Sequence, residues 1–150
     1  MIYSYTTDSP VGALTLCADD DFITELYFGD NGKTEPNGLI LKAVQELDEY
    51  FSGSRRSFDL PLSPQGTEFQ RRVWKALCDI PYGDTRTYGE IAAAVGNCRA
   101  CRAVGMANNR NPIAILIPCH RVIGADGKLT GYAGGLQTKE FLLCLEHKNT

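Results

Sequence analysis

The pair of residues with the clearest chemical potential is Cys119 followed by His120. A thiolate is a strong nucleophile, and a neighbouring imidazole can remove the proton of the thiol. Arg121 adds positive charge beside the pair, and such surroundings favour the thiolate. The chain from Pro112 to Cys119 is apolar, so we expect a buried extended strand that holds the thiol rigidly at its end. The sequence therefore predicts a nucleophilic cysteine.

The coupling between the two side chains needs a further element. Neighbouring side chains of an extended segment point to opposite sides, so Cys119 and His120 require a turn or a bridging water. A base also needs an orienting partner, and Glu146 on the last predicted helix is a candidate. A buried cysteine beside a surface histidine is the non-catalytic alternative, and for a bare Cys-His pair it is the more frequent one.

The first half of the chain predicts a small sheet followed by one helix. Alternating apolar and polar residues predict three strands, at 3–6, 13–17 and 22–28. Residues 29–38 form a polar loop in this interpretation. Apolar residues at helical spacing then predict a helix over 39–51, and Gly53 ends it. Residues 54–66 contain two prolines and are typical of a linker.

The second half is predicted to be mostly helical. Thr67 is a candidate cap for a helix that extends to Cys78. Thr87 begins a short helix that Gly96 closes, and a second short helix follows from about Arg99 to Asn109. Two short helices joined at a glycine are typical of a helix-turn-helix. With a last helix over 139–146, the whole chain is predicted to be an α+β protein.

Charge is unevenly distributed along the 150 residues, whose net charge is −3. Residues 1–66 contain eleven acidic and four basic side chains, whereas the remainder carries a net charge of +4. The overall charge excludes a globally basic nucleic-acid binder. This charge asymmetry nevertheless allows the basic second half to bind phosphate while the acidic first half faces away from it.

Targeting and redox signals point to a cytoplasmic protein. No apolar run approaches the roughly 20 residues of a membrane helix, and the N-terminus lacks a basic segment followed by an apolar one. Outside a secreted context, the six cysteines are expected to be free thiols. The pair Cys98 and Cys101 alone is weak evidence for zinc, so we expect neither metal nor cofactor.

The segment Pro118–Val122 resembles the active-site motif of the O6-alkylguanine-DNA alkyltransferases, also called methylated-DNA–protein-cysteine methyltransferases. Order and spacing are similar to the family's from about Thr67 to Glu146, and this set of motifs is highly specific. The motifs that carry the resemblance are Thr87–Ala92, Arg102–Asn108, Asn111–Ile113, Pro118–Val122 and Gly131–Leu136. The N-terminal half is similar only in its layout of strands followed by a helix.

The resemblance implies catalytic roles for five residues. Cys119 would accept the alkyl group. His120 would remove the proton of the Cys119 thiol through a water, and Glu146 would orient His120. Asn111 would brace the turn around Cys119 by hydrogen bonds. Tyr88 would donate a proton toward the guanine as that base leaves.

The resemblance also implies a DNA-binding surface and a pocket. The helix from 99 to 109 would enter the minor groove without sequence preference, and Arg102 would fill the gap left by the extruded nucleotide. Small side chains allow close approach, and arginines attract phosphate. The predicted DNA-binding residues are Arg99, Arg102, Ala103, Gly105, Arg110 and Arg121. The predicted pocket residues are Val122, Tyr132, Ala133 and Gly134, although certain relatives have serine where Ala133 stands.

These similarities imply a fold and an activity. Residues 1–62 would form a ribonuclease H-like lobe, and residues 63–150 would form a winged helix-turn-helix lobe with the active site. The protein would act as a monomer on double-stranded DNA that contains O6-alkylguanine, with O4-alkylthymine as a further candidate lesion. Transfer would be stoichiometric and irreversible, because a thioether has no easy leaving group.

Two alternative functions stay open at this point. A cysteine hydrolase would use Cys119, His120 and Glu146 for repeated turnover, but it needs an oxyanion hole and has no use for Arg102. An alkyltransferase-like protein would bind the lesion without repairing it, but such proteins lack the acceptor cysteine. Incubation with alkylated DNA separates transfer to one cysteine from turnover on an ester or amide.

Overall fold

The computed structural model describes residues 1–150, which form six strands, five α-helices and one 3-10 turn. The strands are β1 Tyr3–Thr7, β2 Leu14–Ala18, β3 Ile23–Phe28, β4 Thr34–Glu35, β5 Arg86–Thr87 and β6 Val122–Ile123. The α-helices are α1 Gly38–Phe51, α2 Glu68–Cys78, α3 Tyr88–Ala94, α4 Cys101–Asn109 and α5 Leu136–Lys148. The 3-10 turn spans Cys119–Arg121. An antiparallel sheet with a helix thus precedes a mostly helical part, which confirms the α+β prediction.

The N-terminal sheet has the strand order β3-β2-β1-β4, and all three pairings are antiparallel. The inner strand β2 buries Leu14 and Leu16 completely, and α1 packs against β1 and β2. The predicted strands and helix are confirmed with shifts of at most one residue at their ends. The prediction of a plain loop over 29–38 is wrong in one detail, because Thr34 and Glu35 pair with β1.

Side-chain caps fix the start of two C-terminal helices. Thr67 accepts a hydrogen bond from the backbone of Gln70, whose side chain in turn accepts one from the Thr67 N–H. Thr87 and Glu90 make the same reciprocal pair at the start of α3. This reciprocal arrangement, a capping box, satisfies two backbone N–H donors that have no carbonyl partner within the helix. Both caps were predicted positions, and α3 with α4 forms the expected helix-turn-helix.

Three predicted elements differ from the structure. Helix α5 spans Leu136–Lys148 and so begins three residues before the predicted start at 139. Helix α4 begins at Cys101 rather than near Arg99, because the Asn97 side chain accepts from the Arg99 N–H and residues 97–100 close a turn. The segment 113–117 is a tight turn and not an extended strand. Ile117 N donates to Ile113 O at 3.0 Å, and Ile115 has a positive φ of 69°. An apolar run shows burial but not backbone conformation, so the sequence could not distinguish these two forms.

One continuous core joins the two halves of the chain. Its 26 buried apolar residues come from the sheet, from α1 and from the C-terminal helices. A backbone bridge crosses the junction, since Ile113 pairs with Leu26. The turn that carries Cys119 is therefore seated on the N-terminal sheet. No helix in the structure combines the length and apolar character that crossing a membrane requires.

Candidate active site

Cys119 lies at the start of the 3-10 turn and is held by two asparagines. The Asn111 side chain spans the preceding turn, donating to Ile117 O at 2.8 Å and accepting from Ile113 N at 3.0 Å. Asn108 donates to the carbonyl oxygen of Cys119 at 3.3 Å. Asn111 therefore braces this segment by hydrogen bonds, and Asn108 is a second brace, for which the sequence predicted no role.

Cys119 is buried, with only 5% of the residue exposed. Burial raises the pKa of Cys119 to about 11, against the opposing effects of the hydrogen bond with Asn111 and the charge of Lys139. The expectation that these surroundings favour the thiolate is therefore wrong for the resting protein. Desolvation disfavours the charged form more strongly than the neighbouring cation favours it. Transfer from Cys119 consequently needs a base that acts during the reaction.

His120 is completely buried, and its Nε2 lies 2.6 Å from Glu146 Oε2. Burial lowers the pKa of His120 below its usual value, although the hydrogen bond and charge of Glu146 oppose the shift. The imidazole is therefore neutral near pH 7, and the carboxylate requires the proton to reside on Nε2. This tautomer leaves the Nδ1 lone pair free, and Nδ1 accepts no hydrogen bond from the protein. His120 is thus prepared to accept one proton.

Glu146 on α5 is the centre of a buried polar cluster. Burial alone would raise the pKa of Glu146, but hydrogen bonds from His120 and Arg121, together with the positive charge of Arg121, lower it to about 2. Arg121 donates from Nε to Oε1 at 2.7 Å and from Nη2 to Oε2 at 3.1 Å. The Tyr50 hydroxyl of α1 donates to Oε2 at 2.6 Å. Glu146 therefore stays ionised and rigidly placed.

Arg121 requires a correction of the predicted DNA contacts. Its side chain is 9% exposed, and its Nη1 donates to Ile80 O at 2.7 Å. Two further hydrogen bonds tie the buried guanidinium to Glu146, so it is directed into the protein and away from a phosphate. Arg121 instead balances the charge of Glu146 inside the protein. A basic residue beside a nucleophile is ambiguous in sequence, because only the fold shows which way it points.

The predicted pocket residues lie around the loop that follows β6. Val122 is buried, Tyr132 and Gly134 are half-buried, and Ala133 is exposed. Phe28 of β3 packs edge-on against the Tyr132 ring, with 5.7 Å between centroids. A Cβ added to Gly134 would lie 2.7 Å from the Phe28 ring, so glycine permits this close approach. Phe28 was missed, and its only local signal was a large aromatic at a strand end.

Lys139 anchors the same loop from inside the protein. Its side chain is completely buried, and Nζ donates to Val122 O at 2.6 Å and to Thr130 O at 2.7 Å. Lys139 is therefore not a solvated residue, although it lies near the start of α5. Thr130 also pairs with Tyr88, whose hydroxyl lies 2.9 Å from Thr130 Oγ1, so the predicted proton donor borders the loop.

Helix α4 presents most of its predicted DNA-binding residues on the outside. Arg102, Ala103 and Arg110 are exposed, as is Arg99 just before the helix. The opposite side is fixed to α2, where Trp74 Nε1 donates to Ala107 O at 2.8 Å. Gly105 is half-buried, and a Cβ there would make ordinary contact with the Tyr88 ring at 3.8 Å. The exposed face is therefore narrow, basic and rigidly supported.

Comparisons with known proteins extend over the whole chain. The family domain described as "6-O-methylguanine DNA methyltransferase, ribonuclease-like domain" matches residues 1–64. The domain described as "6-O-methylguanine DNA methyltransferase, DNA binding domain" matches residues 68–148. A methylated-DNA–protein-cysteine methyltransferase of Methanosarcina barkeri is 54% identical, with 99% of each chain covered.

Solved structures agree with these matches. The crystal structure of the O6-methylguanine methyltransferase of Mycobacterium tuberculosis superposes with a TM-score of 0.92 at 49% identity, covering 100% of this chain and 95% of the other. A structure of the Mycobacterium tuberculosis protein in complex with DNA gives a TM-score of 0.91 at 50% identity, with 98% and 94% covered. Sequence motifs, fold and site geometry thus agree, and the chain belongs to the methylated-DNA–protein-cysteine methyltransferase family.

Proposed function

We propose that the protein repairs O6-alkylguanine in double-stranded DNA by moving the alkyl group to Cys119 in one irreversible step. The observation that carries this proposal is the buried series of Cys119, neutral His120 and ionised Glu146 beside the glycine-rich loop that contains Tyr132. Relatives named for the same reaction, one of them solved with DNA, support it. In this proposal residues 1–62 form the supporting lobe, and residues 63–150 form the reactive one.

The chemical step is balanced by proton transfers at each end. His120 Nδ1 takes the thiol proton through a bridging water, and Sγ attacks the alkyl carbon in line with the bond to guanine O6. The new S–C bond forms as the C–O bond breaks, and the electron pair remains on the guanine. Tyr88 supplies a proton to the leaving base, because an unprotonated guanine anion would be a poorer leaving group. The thioether has no easy leaving group, so the protein acts once.

DNA binding and base extrusion are assigned to α4. The alkyl carbon is inaccessible inside a duplex, so the nucleotide must flip out at a cost of a few kcal/mol. Ala103 and Gly105 allow the helix to approach the minor groove, while Arg99 and Arg110 attract phosphate regardless of sequence. The side chain of Arg102 occupies the gap in the duplex and offsets part of the extrusion cost. One copy of the chain contains every group needed, so we propose a monomer.

Mass spectrometry after mixing with an O6-methylguanine duplex tests the proposal. We expect a mass gain equal to one methyl group replacing one hydrogen, on Cys119 and on none of the exposed thiols of Cys78, Cys98, Cys101 and Cys144. Cys119→Ser should abolish the gain, whereas Cys144→Ser on α5 should leave it intact. An unmodified Cys119 in the presence of excess lesion would overturn the proposal, as would repeated turnover on an ester.

Arg102→Ala should slow transfer from duplex DNA by about 10-fold or more, because loss of roughly 1–2 kcal/mol of support for the flipped state enters the rate directly. Transfer from free O6-methylguanine base should change little, since no stack has to be opened. The measurement is single-turnover kinetics on both substrates. Arg99→Ala is the matched control, and it should weaken DNA binding and its salt dependence without lowering the rate at saturation. Equal losses on duplex and free base would contradict the role given to Arg102.

A further inference from the structure

A hydroxyl from the N-terminal lobe reaches the catalytic carboxylate. Tyr50 of α1 is completely buried, and its hydroxyl donates to Glu146 Oε2 at 2.6 Å across 96 positions of sequence. The same oxygen accepts the hydrogen bond of His120 Nε2, also at 2.6 Å. No other residue of the N-terminal sheet or of α1 donates to Glu146.

We propose that Tyr50 is a positioning residue for alkyl transfer, which sets through Glu146 how strongly His120 holds the proton that it takes from Cys119. This inference rests on the function proposed above, because it assigns to the N-terminal lobe a part in that reaction. Tyr50 touches neither the alkyl group nor the thiol and acts only through the carboxylate.

Three hydrogen-bond donors compete for one oxygen atom of Glu146. A carboxylate oxygen offers two lone pairs, yet Oε2 receives Tyr50, His120 and, at 3.1 Å, Arg121 Nη2. Each donor draws negative charge toward itself and leaves less for the others. Because an imidazolium is stabilised by the charge on its partner, the Tyr50 hydrogen bond makes His120 a weaker base. Removing that hydroxyl should therefore raise the pKa of His120.

Packing alone does not account for the hydroxyl. The Tyr50 ring contacts Phe51, Phe58 and Tyr82 at centroid distances of 5.3, 5.4 and 6.2 Å, and a phenylalanine ring would keep these contacts. The oxygen instead points into the polar cluster. Burial, followed by the charge of Glu146, raises the pKa of Tyr50 far above its usual value, so the phenol only donates. Its effect on Glu146 is thus constant across the working pH range.

The other charged and titratable groups of the cluster are fixed by elements outside α1. Arg121 approaches Glu146 from the 3-10 turn, and Lys139 of α5 acts on His120 from the pocket side. The Tyr82 ring packs edge-on against the Tyr50 ring. Arg56 and Arg121 each lie 5.7 Å from the centroid of the Tyr82 ring. Arg121 is also held by Ile80 O, and Lys139 is held by Val122 O and Thr130 O. We therefore expect removal of the Tyr50 hydroxyl to leave both in place and to isolate the proposed effect.

The test is the pH dependence of the single-turnover rate for Tyr50→Phe in the full chain. Protonation of His120 stops transfer at low pH, so a raised pKa moves the midpoint of that loss upward. We expect a shift of about half a pH unit, and a rate about 3-fold lower than wild type below the midpoint. Tyr5→Phe is the matched control. Tyr5 is a half-buried tyrosine of the same lobe without contact to Glu146, and its loss should leave the midpoint unchanged.

A second readout does not depend on DNA. Nitrogen NMR of the His120 ring in the free protein reports its protonation directly, and its midpoint should move upward in Tyr50→Phe by the same amount. A variant that melts at lower temperature but keeps both midpoints would show a merely structural hydroxyl and overturn the inference. If wild type fails to transfer while the His120 midpoint still moves, the coupling stands and the proposed function falls. If wild type transfers the alkyl group but the midpoints do not move in Tyr50→Phe, the proposed function stands and the coupling falls.

Discussion

Glu146→Gln should slow transfer to Cys119 by about 100-fold or more and lower the free energy of unfolding by roughly 3–5 kcal/mol. Glutamine cannot stabilise the imidazolium that forms when His120 accepts the thiol proton. It also leaves the buried Arg121 guanidinium without its counter-charge, although the side chain keeps nearly the same volume. Single-turnover kinetics and urea unfolding measure the two effects. Glu140→Gln is the matched control, since Glu140 lies exposed on the same helix.

The pH dependence of stability gives this variant a second signature. The pKa of Glu146 is about 2 in the folded chain and near 4.5 in the unfolded one. The unfolded state therefore binds the proton first as pH falls, so the contribution of Glu146 is complete above pH 4.5 and lost toward pH 2. Wild type should lose stability over this window, and Glu146→Gln should lose less. An unchanged slope would contradict the ionised, buried carboxylate.

Lys139→Met should lower the transfer rate by about 10-fold to 100-fold, because the substitution removes two contributions at once. The ammonium charge lowers the pKa of Cys119, so its loss makes the thiol harder to deprotonate. Its hydrogen bonds to Val122 and Thr130 hold the pocket loop, and buried carbonyls left without donors cost about 1–3 kcal/mol each. Methionine fills the space of the lysine stem, so the core remains packed.

Kinetics over a range of pH separates these two contributions. The rate of Lys139→Met should recover partly at high pH, where the thiol ionises without the lysine charge. The part of the rate loss that comes from the missing hydrogen bonds to the loop should persist at every pH. Lys148→Met is the matched control, because Lys148 lies exposed at the end of the same helix. A wild-type rate in Lys139→Met would show that this buried amine has no part in positioning the pocket.

Local sequence patterns determined the element layout of the protein. Alternation predicted three strands, helical spacing predicted α1, and Thr67 and Thr87 marked helix starts, because each signal acts over a few neighbouring residues. Motif spacing from 87 to 136 also identified the family and the acceptor cysteine. These features depend on side chains close in sequence, which is why they can be predicted without a fold.

Tertiary structure alone decided how the groups around Cys119 act on one another. The turn over 113–117, the inward direction of Arg121 and the buried end of Lys139 all depend on which surfaces meet. Phe28 against Gly134 and Tyr50 on Glu146 join residues about a hundred positions apart. The protonation states of the site residues also depend on the tertiary structure. Desolvation and neighbouring charge set the protonation of Cys119, His120 and Glu146, and both quantities exist only once the chain has folded around them.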